Sequence, residues 1–188
     1  MIELKNICKG FDGRQVLTDV SLKINKGECV ALTGASGAGK TTLLRIIAGL
    51  EKADSGEVIY SERPRMSFVF QENRLLPHKS VLDNILTVAP DRERALYFLG
   101  RCGLSDAAGK KASELSGGMK RRLAIARCLA YGGELYFLDE PLRELDGETL
   151  RSVAQLIKEE ISGKTAVLIT HDSFSLQYLS DRSVFINN

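Results

Sequence analysis

The chain has 188 residues, of which 44% are apolar and 27% charged, and its formal net charge is +2. That length suits one domain, the composition excludes a disordered chain, and the charge gives no electrostatic case for nucleic acid or an acidic membrane surface. Cys8, Cys29, Cys102 and Cys128 form no C-x-x-C pair, which argues against a zinc site or disulfide framework and for reduced thiols.

No run reaches the roughly 18 consecutive apolar residues of a membrane span. The first residues include Glu3 and Lys5 and lack the apolar core of a signal peptide, so any membrane role is expected to pass through a partner. Ile2, Leu4 and Ile7 predict a first strand, and Val16, Val20, Leu22 and Ile24, mainly at period two, a second. A turn at Gly10–Gly13 separates them, with Phe11 at its tip. Cys29–Thr33 reads as a short buried strand ending in a glycine-rich loop. Thr41–Leu50 has Leu43, Leu44, Ile47 and Leu50 on one helical face.

Ser67–Phe70 reads as a strand leading into Gln71. From about residue 72 to 130 the pattern is helical. Ser80 is placed to cap one helix, Asp91–Cys102 forms another, and Ser116 begins a third. Leu135–Leu138 is a buried strand, and Leu150, Val153, Ala154, Ile157 and Ile161 mark an amphipathic helix. Ala166–Ile169 and Val184–Ile186 complete the strands. Buried apolar runs between helices predict an α/β fold, a parallel sheet with helices on both faces.

Gly34-Ala35-Ser36-Gly37-Ala38-Gly39-Lys40-Thr41 fits the phosphate-binding pattern G-x-x-x-x-G-K-[ST], followed by Thr42. Backbone N–H groups must wrap a polyphosphate closely, and glycine permits that approach. The following helix points its positive end at the same anion. Lys40 is expected to reach the β- and γ-phosphates and the Thr41 hydroxyl to ligate Mg²⁺. Asp139-Glu140 closes the buried strand at 135–138. Asp139 suits Mg²⁺, and Glu140 suits orientation of an attacking water.

Leu115-Ser116-Gly117-Gly118-Met119 resembles the signature of ABC ATPases, usually L-S-G-G-Q, and Lys120–Arg127 resembles the helix that follows it. The resemblance covers essentially the whole chain, with its motifs in family order. It implies a P-loop NTPase of ABC type: a mainly parallel core sheet, an N-terminal antiparallel β region, and a helical subdomain inserted at about 72–130 in a single domain spanning 1–188. It implies ATP and Mg²⁺ as ligands. It also implies a homodimer or a heterodimer with another ABC ATPase, in which Ser116, Gly117 and Gly118 of one subunit cover the γ-phosphate held by the other.

The resemblance extends to single positions. Gln71 matches the glutamine that senses Mg²⁺ and water, His171 the histidine that contacts the γ-phosphate, and Phe11 the aromatic that stacks on adenine. Asp146 matches the aspartate of the loop that crosses the dimer interface. Arg143-Glu144 stands where the family usually has Ser-Ala, and Met119 replaces the usual glutamine. His78 reads as a structural or surface residue. Phe68–Pro77 resembles the nitrate, sulfonate and taurine importer branch.

The implied function is the ATP-hydrolysing subunit of an ABC transporter, driving a separate integral membrane permease from the cytoplasmic face. Direct nucleic-acid binding is not expected. A soluble ABC ATPase serving an assembly or nucleic-acid machine would need added arms or a basic groove. A small-molecule P-loop kinase would lack Leu115–Met119.

Overall fold

The structure is a computed structural model that describes residues 1–187. Strands β1 (Ile2–Phe11) and β2 (Arg14–Ile24) form an antiparallel hairpin through Asp12-Gly13. Both turn residues have positive φ, 48° and 78°, the backbone of a two-residue hairpin turn whose twist matches its strands. The pairing slips on either side of Lys9. Each irregularity changes which side chains face inward, so Leu17 is buried while Val16 and Val20 are only half-buried. The simple alternation expected for β2 is corrected accordingly.

Strand β3 (Cys29–Thr33) leads into α1 (Lys40–Ile47). This helix stops short of the expected Leu50. The backbone turns left-handed at Gly49 and leaves Leu50 51% exposed. Strand β4 (Ser55–Tyr60) then pairs with the free edge of β1, giving the antiparallel order β2-β1-β4. Its inward positions are only partly buried, and its short apolar run, Val58-Ile59-Tyr60, gives a weak periodic signal.

Strands β5 (Met66–Val69), β6 (Leu135–Asp139), β7 (Thr165–Ile169) and β8 (Arg182–Phe185) join β3 in a second sheet, ordered β5-β6-β7-β3-β8. Every pairing in it is parallel. The interior strands β3, β6 and β7 are apolar except at an end residue, Thr33, Asp139 or Thr165, because both faces are covered. Val30, Leu32, Leu135, Phe137, Val167 and Ile169 face one apolar core, which includes the antiparallel sheet and α1. Cys29, Ala31, Tyr136, Leu138, Ala166 and Leu168 face the other.

That second core is closed by helices α2 (Val81–Leu86), α3 (Arg92–Arg101), α4 (Gly117–Tyr131), α5 (Gly147–Ile161) and α6 (Ser173–Leu179). The expected Ser80 cap forms, Ser116 caps the helix it is expected to begin, and Asp91 caps its helix rather than starting it. Asp83 N donates to Ser80 Oγ at 3.0 Å, Arg94 N to Asp91 Oδ1 at 3.0 Å, and Met119 N to Ser116 Oγ at 3.3 Å. Burial pushes the thiols of Cys29, Cys102 and Cys128 up to about 12, which keeps them protonated and unreactive.

Candidate functional site

Parallel strands end on one edge of their sheet, so four loops converge there. β3 delivers Gly34–Gly39, β5 delivers Phe70-Gln71, β6 delivers Asp139-Glu140, and β7 delivers Thr170-His171. The resulting cavity of about 290 Å³ is lined by Ser36, Gly37 and Gly39–Thr42 of the loop and α1, together with Gln71, Asp139, Glu140, Ile169 and His171. Val16 of β2 also lines it.

The hairpin is seated against the loop. At Gly39, which has φ of 87°, an added Cβ would lie 2.7 Å from Leu17 Cδ2 and 2.8 Å from Val16 O. Glycine is required there on both counts, and the close approach puts α1's first N–H groups at the cavity floor. Lys40 is buried at that floor. Its ammonium donates to Gly34 O at 3.0 Å and Ala35 O at 2.8 Å, so it is held over the loop.

Thr41 Oγ1 donates to Asp139 Oδ2 at 3.3 Å. Burial is the main influence on the Asp139 carboxyl and holds it above its usual range. Nearby Glu140 adds to the effect, while Thr41 opposes it. Oxygen donors in this arrangement fit Mg²⁺, which takes few protein ligands and completes its shell with water and phosphate oxygens. Among the described residues no group of three or more His, Cys, Asp or Glu could hold a metal.

Glu140 leaves β6 with φ of 48°, an uncommon backbone state for a residue other than glycine. Its N–H is fixed to Ile169 O at 2.8 Å. One carboxylate oxygen lies 3.5 Å from His171 Nε2, the other 3.3 Å from an Arg143 Nη1. Glu144 turns the other way. Its Oε2 would meet a Cβ built on Gly117 at 2.9 Å, so a carboxylate lies against the first turn of α4. Arg143 and Glu144, which stand where the family usually has Ser-Ala, thus both contact elements named in the motifs.

Several predicted residues stand apart from the cavity. Ser116 and Gly117 are exposed and Gly118 is half-buried, and none of them lines it. Asp146 is exposed at the start of α5. Phe11 is 44% exposed at the hairpin end, with Lys9 Nζ 4.9 Å from its ring centre. Ala35 and Ala38 belong to the loop without lining the cavity. His78 is exposed.

Sequence reasoning missed two residues. Val16 carries no signal beyond strand periodicity. Arg121 lies in the short basic cluster Lys120-Arg121-Arg122, yet it is only 2% exposed. Its guanidinium donates to carbonyls of both the Gln71 loop and the Glu140 loop. A basic residue five positions into a helix ordinarily faces solvent, so only three-dimensional context could reveal it.

The ABC transporter family model matches residues 17–143. An aliphatic sulfonates import ATP-binding protein SsuB from Cupriavidus pinatubonensis is 40% identical over all of this chain, which spans 66% of that relative's length. The protein of the same name from Pectobacterium atrosepticum is 43% identical over 98% of the chain and 73% of its own length. Among solved structures, the dimeric bacterial ABC transporter cassette MJ0796 superposes with a TM-score of 0.90 at 33% identity. That match covers 100% of this chain and 94% of the other. The same cassette in a post-hydrolysis state with ADP and Pi gives 0.89 at 31% identity, again covering 100% and 94%.

Proposed function

This chain belongs to the ABC transporter family, and we propose that it is the ATP-hydrolysing subunit of an importer, working as a dimer on a separate membrane permease. The observation that carries this reading is the convergence of Lys40, Thr41, Gln71, Asp139, Glu140 and His171 on one cavity at the end of the phosphate-binding loop. The relatives named for sulfonate import favour transport over an assembly or nucleic-acid machine, and they favour an alkylsulfonate as the solute. No helix among the described residues is long and apolar enough to cross a membrane. A permease partner would supply the spans and hold this subunit at the cytoplasmic face.

In this reading the loop N–H groups and Lys40 bind the triphosphate, and Phe11 stacks on adenine. Glu140 accepts a proton from the attacking water, with Gln71 and His171 orienting that water and the γ-phosphate. Thr41, Asp139 and Gln71 would hold Mg²⁺, which neutralises charge developing on the phosphate oxygens. Ser116, Gly117 and Gly118 would serve the partner subunit's nucleotide, because α4's N-terminus offers unpaired N–H donors outside its own cavity. Asp146 would cross the same interface. The segment from about 72 to 130 would form the subdomain that contacts the permease.

Glu140→Gln tests the reading. It is expected to lower kcat by about 100- to 10,000-fold. The variant with MgATP should elute as a dimer in size-exclusion chromatography and co-purify with the permease. Undiminished turnover would reject Glu140 as the base, and a persistent monomer beside the permease would reject the dimer.

A further inference from the structure

The structure assigns to Arg121 a positioning role: from the second turn of α4 it ties the Gln71 loop and the Glu140 loop together, so that the groups proposed to orient the attacking water are held in a fixed relation. The assignment rests on the ATPase reading above and goes beyond it, because Arg121 matches none of the motif positions.

Five backbone carbonyls carry the argument. Arg121 Nε donates to Pro141 O at 3.0 Å. One terminal nitrogen donates to Phe70 O at 2.6 Å and Gln71 O at 3.4 Å, and also to Asn73 Oδ1 at 3.3 Å. The other donates to Asp139 O at 2.6 Å and Glu140 O at 2.5 Å. The planar fork of a guanidinium suits this pattern, since it reaches acceptors on two sides at fixed angles. An ammonium on a flexible stem offers donors from a single atom and cannot span both loops. Burial lowers the guanidinium to about 10, with Asp139, Glu144 and Glu140 acting against that drop, so it stays charged at neutral pH.

Arg121 does not itself line the cavity, but it bonds the backbone of three residues that do, Gln71, Asp139 and Glu140. It therefore acts on catalysis through Gln71 and Glu140 rather than on the nucleotide. Gly117, the first residue of α4, lies one turn before Arg121. Arg122, next in sequence, bonds instead to Cys102 O at 2.8 Å and Gly103 O at 2.9 Å, at the end of α3. It supplies the comparison for a purely structural arginine.

The test compares Arg121→Gln, Arg121→Lys and Arg122→Gln with the wild type. Arg121→Gln should lower kcat by about 10- to 100-fold, with KM for ATP nearly unchanged. Backbone amide exchange in 69–74 and 139–145 should speed up together. Arg121→Lys should recover little of either effect, because charge without the fork is insufficient. Arg122→Gln should lower thermal stability without that kcat change. Equal kcat losses at 121 and 122, or faster exchange confined to α4, would overturn the assignment. A second measurement needs no variant. A non-hydrolysable ATP analogue added to the wild type should change exchange in 69–74 and 139–145 in concert, and a change in one loop that leaves the other untouched would overturn it. Loss of ATPase in the wild type itself would instead sink the functional reading, leaving the exchange comparison between variants in force.

Discussion

Thr41 Oγ1 stands 3.3 Å from Asp139 Oδ2, although the two residues are 98 positions apart. The contact joins the start of α1 to the end of β6, and it is the only side-chain hydrogen bond given to the Asp139 carboxylate in the described residues. Asp139 is 5% exposed, so its negative charge sits in a poorly solvated place with one weak neutral donor.

Asp139→Asn should therefore trade activity for stability. The carboxyl is held above its usual range, so its ionised form disfavours folding. That penalty is absent below the ordinary aspartate range and is complete once pH has risen through the elevated value. At neutral pH the variant is expected to gain about 0.5–2 kcal/mol, and at acidic pH the gain should vanish. Thermal melts at pH 7.5 and at the lowest pH where the protein stays folded check this. ATP turnover in the variant should be lost.

Arg143→Ser should raise turnover. Arg143 engages one oxygen of Glu140 at 3.3 Å, and that oxygen is then unable to accept freely from a water. A pair with one partner open to solvent, as Arg143 is here, is worth about 0–1 kcal/mol, so kcat is expected to rise by at most about fivefold. Added salt should raise wild-type kcat in the same direction by screening the pair, and the variant should lose that salt response. Steady-state rates at two ionic strengths give the answer.

Gly39→Ala should be far more damaging than Gly37→Ala. Both positions have positive φ, but a Cβ at Gly37 meets nothing within 4 Å, whereas at Gly39 it collides with Leu17 and Val16. The conformational strain alone costs about 1–2 kcal/mol, equivalent to a thermal midpoint lowered by about 2–8 °C. Gly37→Ala should show that loss, and Gly39→Ala a larger one. Calorimetry on the two purified variants separates them.

Phe11→Ala should weaken ATP binding without harming the fold. The ring is largely exposed, so little core is lost. Stacking on a base is worth about 1–3 kcal/mol, which predicts KM for ATP raised by about fivefold or more with kcat preserved. Val16→Ala, in the cavity wall, should raise KM more modestly and lower stability slightly. Unchanged KM in Phe11→Ala would place the base elsewhere.

The phosphate loop, the acid pair and the signature were legible because each depends on local chemistry: glycines for close approach, charge at a strand end, a serine cap. The same holds for the apolar strands β3, β6 and β7, whose composition follows from burial on both faces. Three features escaped. Leu17 rather than Val16 is buried because the pairing of β1 with β2 slips near Lys9. β4 forms because β1 offers a free edge, not because Val58-Ile59-Tyr60 demands a strand alone. Arg121 is buried because two loops bring their carbonyls to it.

The amino-acid order by itself determined which groups this protein owns and which backbone each short stretch prefers, since those depend on neighbours along the chain. Only the tertiary structure decided which groups meet. Parallel strands from distant segments carry their ends to one edge, where Thr41 reaches Asp139 and His171 faces Glu140. Such meetings are set by sheet order and register, which pattern within a single strand does not encode.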